Sequence, residues 1–522
     1  MKTETKRWLG RIVAGLFLLI SFVAFWSAKW YISVYGKVGF DAILFTMTGS
    51  LKGVEPELIF GYLRKALLPS VLCTVVVWCL LYLPRDIHVR RKEGEPVTVL
   101  PIPVPAVVRR VIAIVLCVVL LLSGAAMAEM PQWIRGKLQV GRLYETEYQD
   151  PKQTQITFPE EKRNLIYIFM ESMETTFMSP EQGGGQPYDS IPELYRLAQE
   201  NINFSQNEGV GGWSRTTGAT WTVGGMVSQT AGIPLAGGID GNSYGELSEF
   251  LPGITNLQDI LHDQGYYQAL MVGSDVSFGG RDKYFAQHGT DRIYDIYTAR
   301  EDGVVAPAYA VWWGMEDLHL YEYAKRELTE IAQRDQPFSF TMLTVDTHHV
   351  GGYYCDLCQD EFPEYYSDVA HCASRQVTDF LEWLKQQDFY ENTTVVICGD
   401  HQSMDGDFFA RNMDPDYDRC VYNCIVNSPI TTTRNKHRLI TPFDMFPTTL
   451  AAMGCEIEGD RLGLGVNLFS IQPTLAERLG GYKKMNEELS KRSDYYDQVF
   501  LEIDRVSRVS TSEETASTSS VN

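Results

Sequence analysis

Three uncharged apolar runs constrain this chain before any other feature does. Ile12 to Ala28, Ala66 to Pro84 and Val111 to Ala128 contain no charged side chain, and each is long enough for a helix to cross the hydrocarbon core of a bilayer. Lipid offers no partner for backbone N–H and C=O groups, so runs of this kind must be helical. Basic residues set their direction. Lys2, Lys6, Arg7 and Arg11 precede the first run, and Arg85, Arg90, Arg91, Lys92, Arg109 and Arg110 lie between the second and third; both regions are therefore expected in the cytoplasm. Lys29, Lys37, Lys52, Arg64 and Lys65 oppose this weakly. The expectation is a multi-pass cell-membrane protein whose large C-terminal part is extracytoplasmic. Ile43 to Leu63 reads as an interfacial segment and Pro101 to Pro105 as a proline-rich lead into the third span. The small-x-small triplet Ala126-Met127-Ala128 has the form of a signal-peptidase site, at which the outer part would be released.

A chain of 522 residues exceeds one ordinary core. The composition divides it into a membrane domain over 1–130, a polar linker over 131–162, a catalytic domain over 163–480, and a C-terminal helical segment with a disordered Ser/Thr-rich tail, Ser507 to Asn522, over 481–522. The formal net charge of -21, with no basic stripe, excludes a nucleic-acid partner. Ten cysteines are scattered. Cys73, Cys79 and Cys117 fall in the apolar runs and Cys398 in a core strand. For Cys355, Cys358, Cys372, Cys420, Cys424 and Cys455, disulfides are the expectation outside the cytosol. The Cys355/Cys358 spacing also suits a zinc knuckle or redox pair, but no second pair follows at zinc-ligand spacing.

From Asn164 onward, short β-rich runs alternate with helical stretches: LIYIFM, then Ile191 to Glu200; YYQALMVG; Trp312 to Gln333, then FSFTMLTV; Ala373 to Gln387, then TTVVICGD. That alternation predicts a mostly parallel sheet sandwiched by helices, an α/β fold. Its strands end in chemistry. Thr393 to Gly399 runs into Asp400 and His401, and Leu165 to Met170 runs into Glu171. Open α/β sheets place ligands at the carboxyl ends of their strands. Two carboxylates and an imidazole there suit one borderline divalent ion. Between them, the glycine-rich start of Glu208 to Leu235 passes into Thr216, Thr217 and Thr220, a loop feeding a helix where a hydroxyl can sit beside a bound anion. Asp405 and Asp407 read as solvated loop acids rather than a second metal site.

The stretches NLIYIFMESMETTF, TTGATWTVGGMVSQTAGIPL, GSDVSFGGRDKYFAQHG, LTVDTHHVGGY, CGDHQSM and DMFPTTLAAMG resemble, in order, the membrane-anchored phosphoglycerol transferases of the alkaline phosphatase and sulfatase superfamily, the group of lipoteichoic acid synthase and phosphoglycerol transferase I. GGMVSQTAGIPL and VDTHHVGG lean toward the oligosaccharide-modifying branch. The resemblance implies an alkaline phosphatase/sulfatase-like fold and makes Glu171, Thr217, Asp400 and His401 the metal ligands. Thr217 would also be the nucleophile, with Thr216 and Thr220 as alternatives. It places Arg281 against the substrate phosphate and His348 as a substrate-contacting, proton-handling histidine, with His349 as its alternative. One divalent ion is implied, Mn2+ with Zn2+ or Mg2+ as alternatives. So is transfer of glycerol phosphate from phosphatidylglycerol to a glycan or polyglycerol-phosphate acceptor through a phospho-threonine. Gly279 stands where lipoteichoic acid synthase has an aromatic residue, with Phe278 beside it. The formylglycine signature of sulfatases, with its Pro and Arg, is absent around Thr217. The rival readings are a phosphoethanolamine transferase and an inactive sulfatase-fold sensor or glycan-binding protein.

Overall fold

The structure, a computed structural model, describes residues 2–36, 56–82, 105–236, 249–309 and 311–502, together with 39–40, 43, 88–90 and 96–98. It divides into two compact units. The first, Met1–Phe40 with Leu51–Gln132, holds three helices long and apolar enough to cross a membrane, Trp8–Tyr35, Ile59–Tyr82 and Ala106–Met127. They are longer than the uncharged runs alone because Trp30, Tyr31 and Tyr35 continue the first helix and Ile59 to Lys65 lead into the second. Leu18, Phe22 and Leu120 form a small core. Trp78 Nε1 donates to Arg11 O at 2.9 Å, joining the first two helices. The segment Ile43 to Leu63, the lead Pro101 to Pro105 and the tail Ser507 to Asn522 lie wholly or largely outside the described residues. Ala126 and Met127 form the last turn of the third helix, and Ala128 caps it.

The second unit, which includes Trp133 and the chain beyond it, is built on a seven-stranded sheet. Its strands are β1 (Asn164–Met170), β2 (Gly212–Trp213), β3 (Tyr267–Val272), β4 (Arg292–Tyr294), β5 (Phe338–Leu343), β6 (Thr393–Gly399) and β7 (Val421–Val426). The spatial order is β2-β7-β6-β1-β5-β3-β4. β6, β1, β5, β3 and β4 run parallel, while β7 is antiparallel to both β6 and β2. The β7 sequence VYNCIV lies outside the alternation read from the sequence. Strands β1, β5, β6 and β7 are buried along their whole length, which is why they read as apolar runs rather than alternating ones.

The helices of this unit include α1 (Pro192–Glu200), α2 (Thr222–Ala231), α3 (Arg281–Gln287), α4 (Asp317–Ile331) and α5 (Tyr365–Leu384). Ile166, Ile168 and Met170 of β1 share a core with Leu194 of α1, Leu320 of α4 and Val377 of α5. The intervening Tyr167 points the other way, and its hydroxyl donates to Gln229 Oε1 on α2 at 2.9 Å. Helices therefore cover both faces, as alternation of strands and helices predicts.

The expected linker over 131–162 is instead folded into this unit. Ile156–Thr157 pairs with Glu456–Ile457, and Tyr144 is buried, stacked on Tyr495 at 6.4 Å and edge-on to Phe500 at 5.5 Å. Polarity misled because Glu147 spends its charge on Arg461 and Arg478 rather than on water. Truncating a buried aromatic of this kind costs about 3 kcal/mol or more. Tyr144→Ala is therefore expected to lower the stability of the second unit by that order in chemical denaturation, whereas an unattached linker would show no change.

Candidate active site

Parallel register brings the chemistry together. Met170 of β1 lies opposite Gly399 of β6, so the next residues, Glu171 and Asp400, leave neighbouring strands at one level. The Glu171, Asp400 and His401 ligand atoms all lie within 4.8 Å of one another, and all three residues are buried. Ser172 N and His401 N each donate to Asp400 Oδ1 at 2.7 Å, while Asp400 Oδ2 has no hydrogen-bond donor. His401 Nδ1 lies 2.7 Å from Gln402 O. That contact requires Nδ1 to carry a proton and turns Nε2 toward the carboxylates, 3.4 Å from Glu171 Oε1 and from Asp400 Oδ2, where it offers a lone pair once the imidazole is neutral.

Two hydroxyls meet this cluster: Ser172 Oγ donates to Glu171 Oε1 at 2.7 Å, and the other hydroxyl belongs to Thr222. Its Oγ1 lies 3.2 Å from Glu171 Oε2 and 3.4 Å from His401 Nε2. At Thr217, the expected ligand and nucleophile, the backbone N–H donates to Asn486 Oδ1 at 2.8 Å, and Asn486 Nδ2 donates to Arg215 O. Of the alternatives, Thr216 Oγ1 donates to Ser214 O. Helix docking brings Thr222 to the cluster. Thr222 is the first residue of α2, and a Cβ added at Gly225 would meet Asp400 O at 2.1 Å, so only glycine lets the helix lie against the end of β6. Gln229 Nε2 then fastens it, donating to Gly399 O and Asp400 O at 3.0 and 3.3 Å. The sequence signal was present in Gly224-Gly225, but several threonines precede it.

The remaining expected residues surround the cluster electrostatically. Arg281 opens α3 and is buried. Its Nη2 donates to Ser274 Oγ and Asp275 O at 2.9 and 2.7 Å, Phe278 lies 5.9 Å beneath the guanidinium, and Nε has no partner. Burial pushes its pKa down to about 10 against the pull of Glu171, Asp275 and Asp400, so it stays charged at neutral pH. The ring of His348 lies between Trp313 and His349, each 4.4 Å away centroid to centroid. His348 Nδ1 is held by His349 O at 2.7 Å, which leaves Nε2 free. Burial holds this imidazole below its usual pKa, partly offset by Glu171. His349 is pushed lower still, first by burial and then by His348.

Asp405 is not a solvated loop acid. It is buried, caps the helix Gly406–Asn412 through Phe408 N at 3.0 Å, and accepts from Gly351 N at 2.8 Å; it braces the histidine loop and has little left for a metal.

The Sulfatase family model matches residues 163–455. The chain belongs to the sulfatase family. Among curated relatives, phosphoglycerol transferase I of Escherichia fergusonii is 27% identical over 401 residues, covering 75% of this chain and 48% of that protein. The Citrobacter koseri enzyme of the same name is 27% identical over 412 residues, covering 76% and 49%. The chain thus spans about half the length of the curated relatives it matches. Among solved structures, the lipoteichoic acid synthase LtaP from Listeria monocytogenes aligns with TM-score 0.47 and 19% identity over 60% of this chain and 78% of that one.

The donor set of this sulfatase-family chain fits a divalent cation. Two buried carboxylates and a lone-pair imidazole nitrogen converge, and an unpartnered Asp400 oxygen faces in. Without a cation the charges are in conflict. Burial and the neighbouring Glu171 push the Asp400 carboxyl well up. Burial would raise Glu171 too, but His348, His401 and Ser172 outweigh it and hold Glu171 below the ordinary range. Burial would lower His401, but Asp400 and Glu171 raise it to about 9. A folded-state pKa above the unfolded one contributes stability that is fully present below the unfolded value and lost as pH rises through the folded one. His401 does this between about 6.5 and about 9, and Asp400 acts in the same direction from the ordinary carboxylate range upward. The chelator-treated full chain is therefore expected to melt at falling temperature as pH rises across that window. Saturating divalent cation should flatten the slope, and a slope unchanged by cation would contradict the site.

Proposed function

We propose that this chain transfers glycerol phosphate from phosphatidylglycerol to a glycan or polyglycerol-phosphate acceptor, through a covalent phospho-threonine on Thr222. The observation that carries the reading is the Thr222 hydroxyl seated against Glu171 and His401, in a chain matched over three-quarters of its length by phosphoglycerol transferases I. Three helices able to cross a membrane suit a donor that resides in a bilayer. Glu171, Asp400, His401 and Thr222 would hold the divalent ion. When bound, it supplies positive charge that lowers the pKa of a nearby hydroxyl and offsets charge on a phosphoryl oxygen.

In the first step Thr222 Oγ1, whose own proton leaves to solvent once before the cycle begins, attacks phosphorus, and the bond from phosphorus to the diacylglycerol oxygen breaks; the same deprotonated oxygen is released in the second step. Protonated His348 gives that oxygen its proton through Nε2. In the second step the acceptor hydroxyl loses its proton to His348 and attacks phosphorus, and the bond to Thr222 breaks. One proton thus cycles through His348 while the glycerophosphate moves. Arg281 stays charged throughout and offers its unpartnered Nε–H to a phosphoryl oxygen. Trp312 and Trp313 beside His348 form an apolar wall suited to the glycerol carbons.

The test uses the purified full chain in phosphatidylglycerol vesicles with manganese. Wild type should release diacylglycerol, Thr222→Ala should be slower by about 10³-fold or more, and Thr217→Ala should retain activity. Loss with Thr217→Ala and retention with Thr222→Ala would overturn the assignment. Replacing the donor by phosphatidylethanolamine distinguishes the phosphoethanolamine reading.

A further inference from the structure

The histidine loop between β5 and α5 contains no regular element long enough to hold it. One end is braced by Gly351 N on Asp405, and Tyr353 N closes back on Asp346 O at 2.7 Å. At the other end three thiols converge. Cys355 Sγ lies 3.7 Å from Cys358 Sγ and 3.7 Å from Cys372 Sγ, and the three sulfur atoms lie within 4.8 Å of one another. Cys355 and Cys358 sit in the loop, and Cys372 projects from α5. None of the ten cysteines is in a disulfide.

From this geometry we propose that Cys355, Cys358 and Cys372 bind a second, structural metal ion of the thiolate-seeking class, zinc in the first instance, which clamps the histidine loop to α5. A disulfide would single out one partner for Cys355, whereas the structure holds both at the same distance. A tetrahedral zinc with Zn–S bonds of about 2.3 Å sets its sulfur atoms about 3.8 Å apart, which matches the observed separations. Binding converts three thiols to thiolates with release of three protons. The resulting negative charge faces Arg375, whose Nη2 donates to Leu357 O within the turn at 3.0 Å. A fourth position is available to Gln376. Its side-chain nitrogen lies 3.4 Å from Cys372 Sγ and 3.8 Å from Cys355 Sγ, and turning that amide over presents its oxygen to the metal.

The site contains sulfur and the candidate active site does not, so cobalt reports on it separately. Full-length protein purified anaerobically and loaded with cobalt should show a near-ultraviolet thiolate-to-cobalt charge-transfer band. Zinc should displace it, Cys372→Ser should abolish it and Cys455→Ser should keep it. Zinc should also slow alkylation of these three cysteines in the wild-type protein by at least about tenfold, a reading that needs no variant to fold. A folded wild-type chain with no such band, or mass analysis of protein purified without reductant showing Cys355 joined to Cys358 or Cys372, would overturn the proposal. Neither result bears on the Thr222 chemistry, which is read by diacylglycerol release.

Discussion

Two carboxylates and an imidazole are held together out of water at the ends of adjacent strands, and much of the second unit serves to keep them there. Asp400 is fully buried, with one oxygen fed by two backbone N–H groups and the other left without a donor. Such an arrangement is costly unless something positive completes it. The surrounding protein supplies part of that charge through Arg281 and His401, and among the described residues His401 is the basic side chain in contact with Asp400 Oδ2. The conflict is what makes the cluster a site rather than a structural ion pair.

The geometry propagates outward from the parallel pairing of β1 with β6. Helices covering both faces bury these strands completely, and their common direction brings their carboxyl ends to one edge. Helix α2 can then approach only because Gly225 has no side chain to collide with Asp400 O. Its first residue thereby presents a hydroxyl to the cluster. On the other side, Asp405 and the turn around Cys355 hold the loop that carries His348.

Residues whose role is set by strand ends were legible in the amino-acid sequence. Glu171, Asp400 and His401 follow uninterrupted apolar runs, and the parallel sheet follows from their alternation with helices. Thr222 was not legible, because Thr216, Thr217, Thr220 and Thr222 all sit near the start of one helix. The choice among them depends on how closely that helix docks, which is a tertiary fact. Burial of charged side chains hid other features. Asp405 looked solvated yet caps a helix, and the polar residues of 131–162 obscured Tyr144 and its aromatic partners. Cys372 read only as one of six disulfide candidates because helix α5, rather than a second knuckle, delivers it to Cys355 and Cys358.

The central claim is that one divalent cation joins Glu171, Asp400 and His401 to the Thr222 hydroxyl. Crystals of the protein soaked with manganese test it most directly through anomalous scattering. The account predicts a peak within about 2.3 Å of an atom from each of those four side chains. A peak bound by Thr217 in place of Thr222, or no peak at the cluster at saturating manganese, would contradict it.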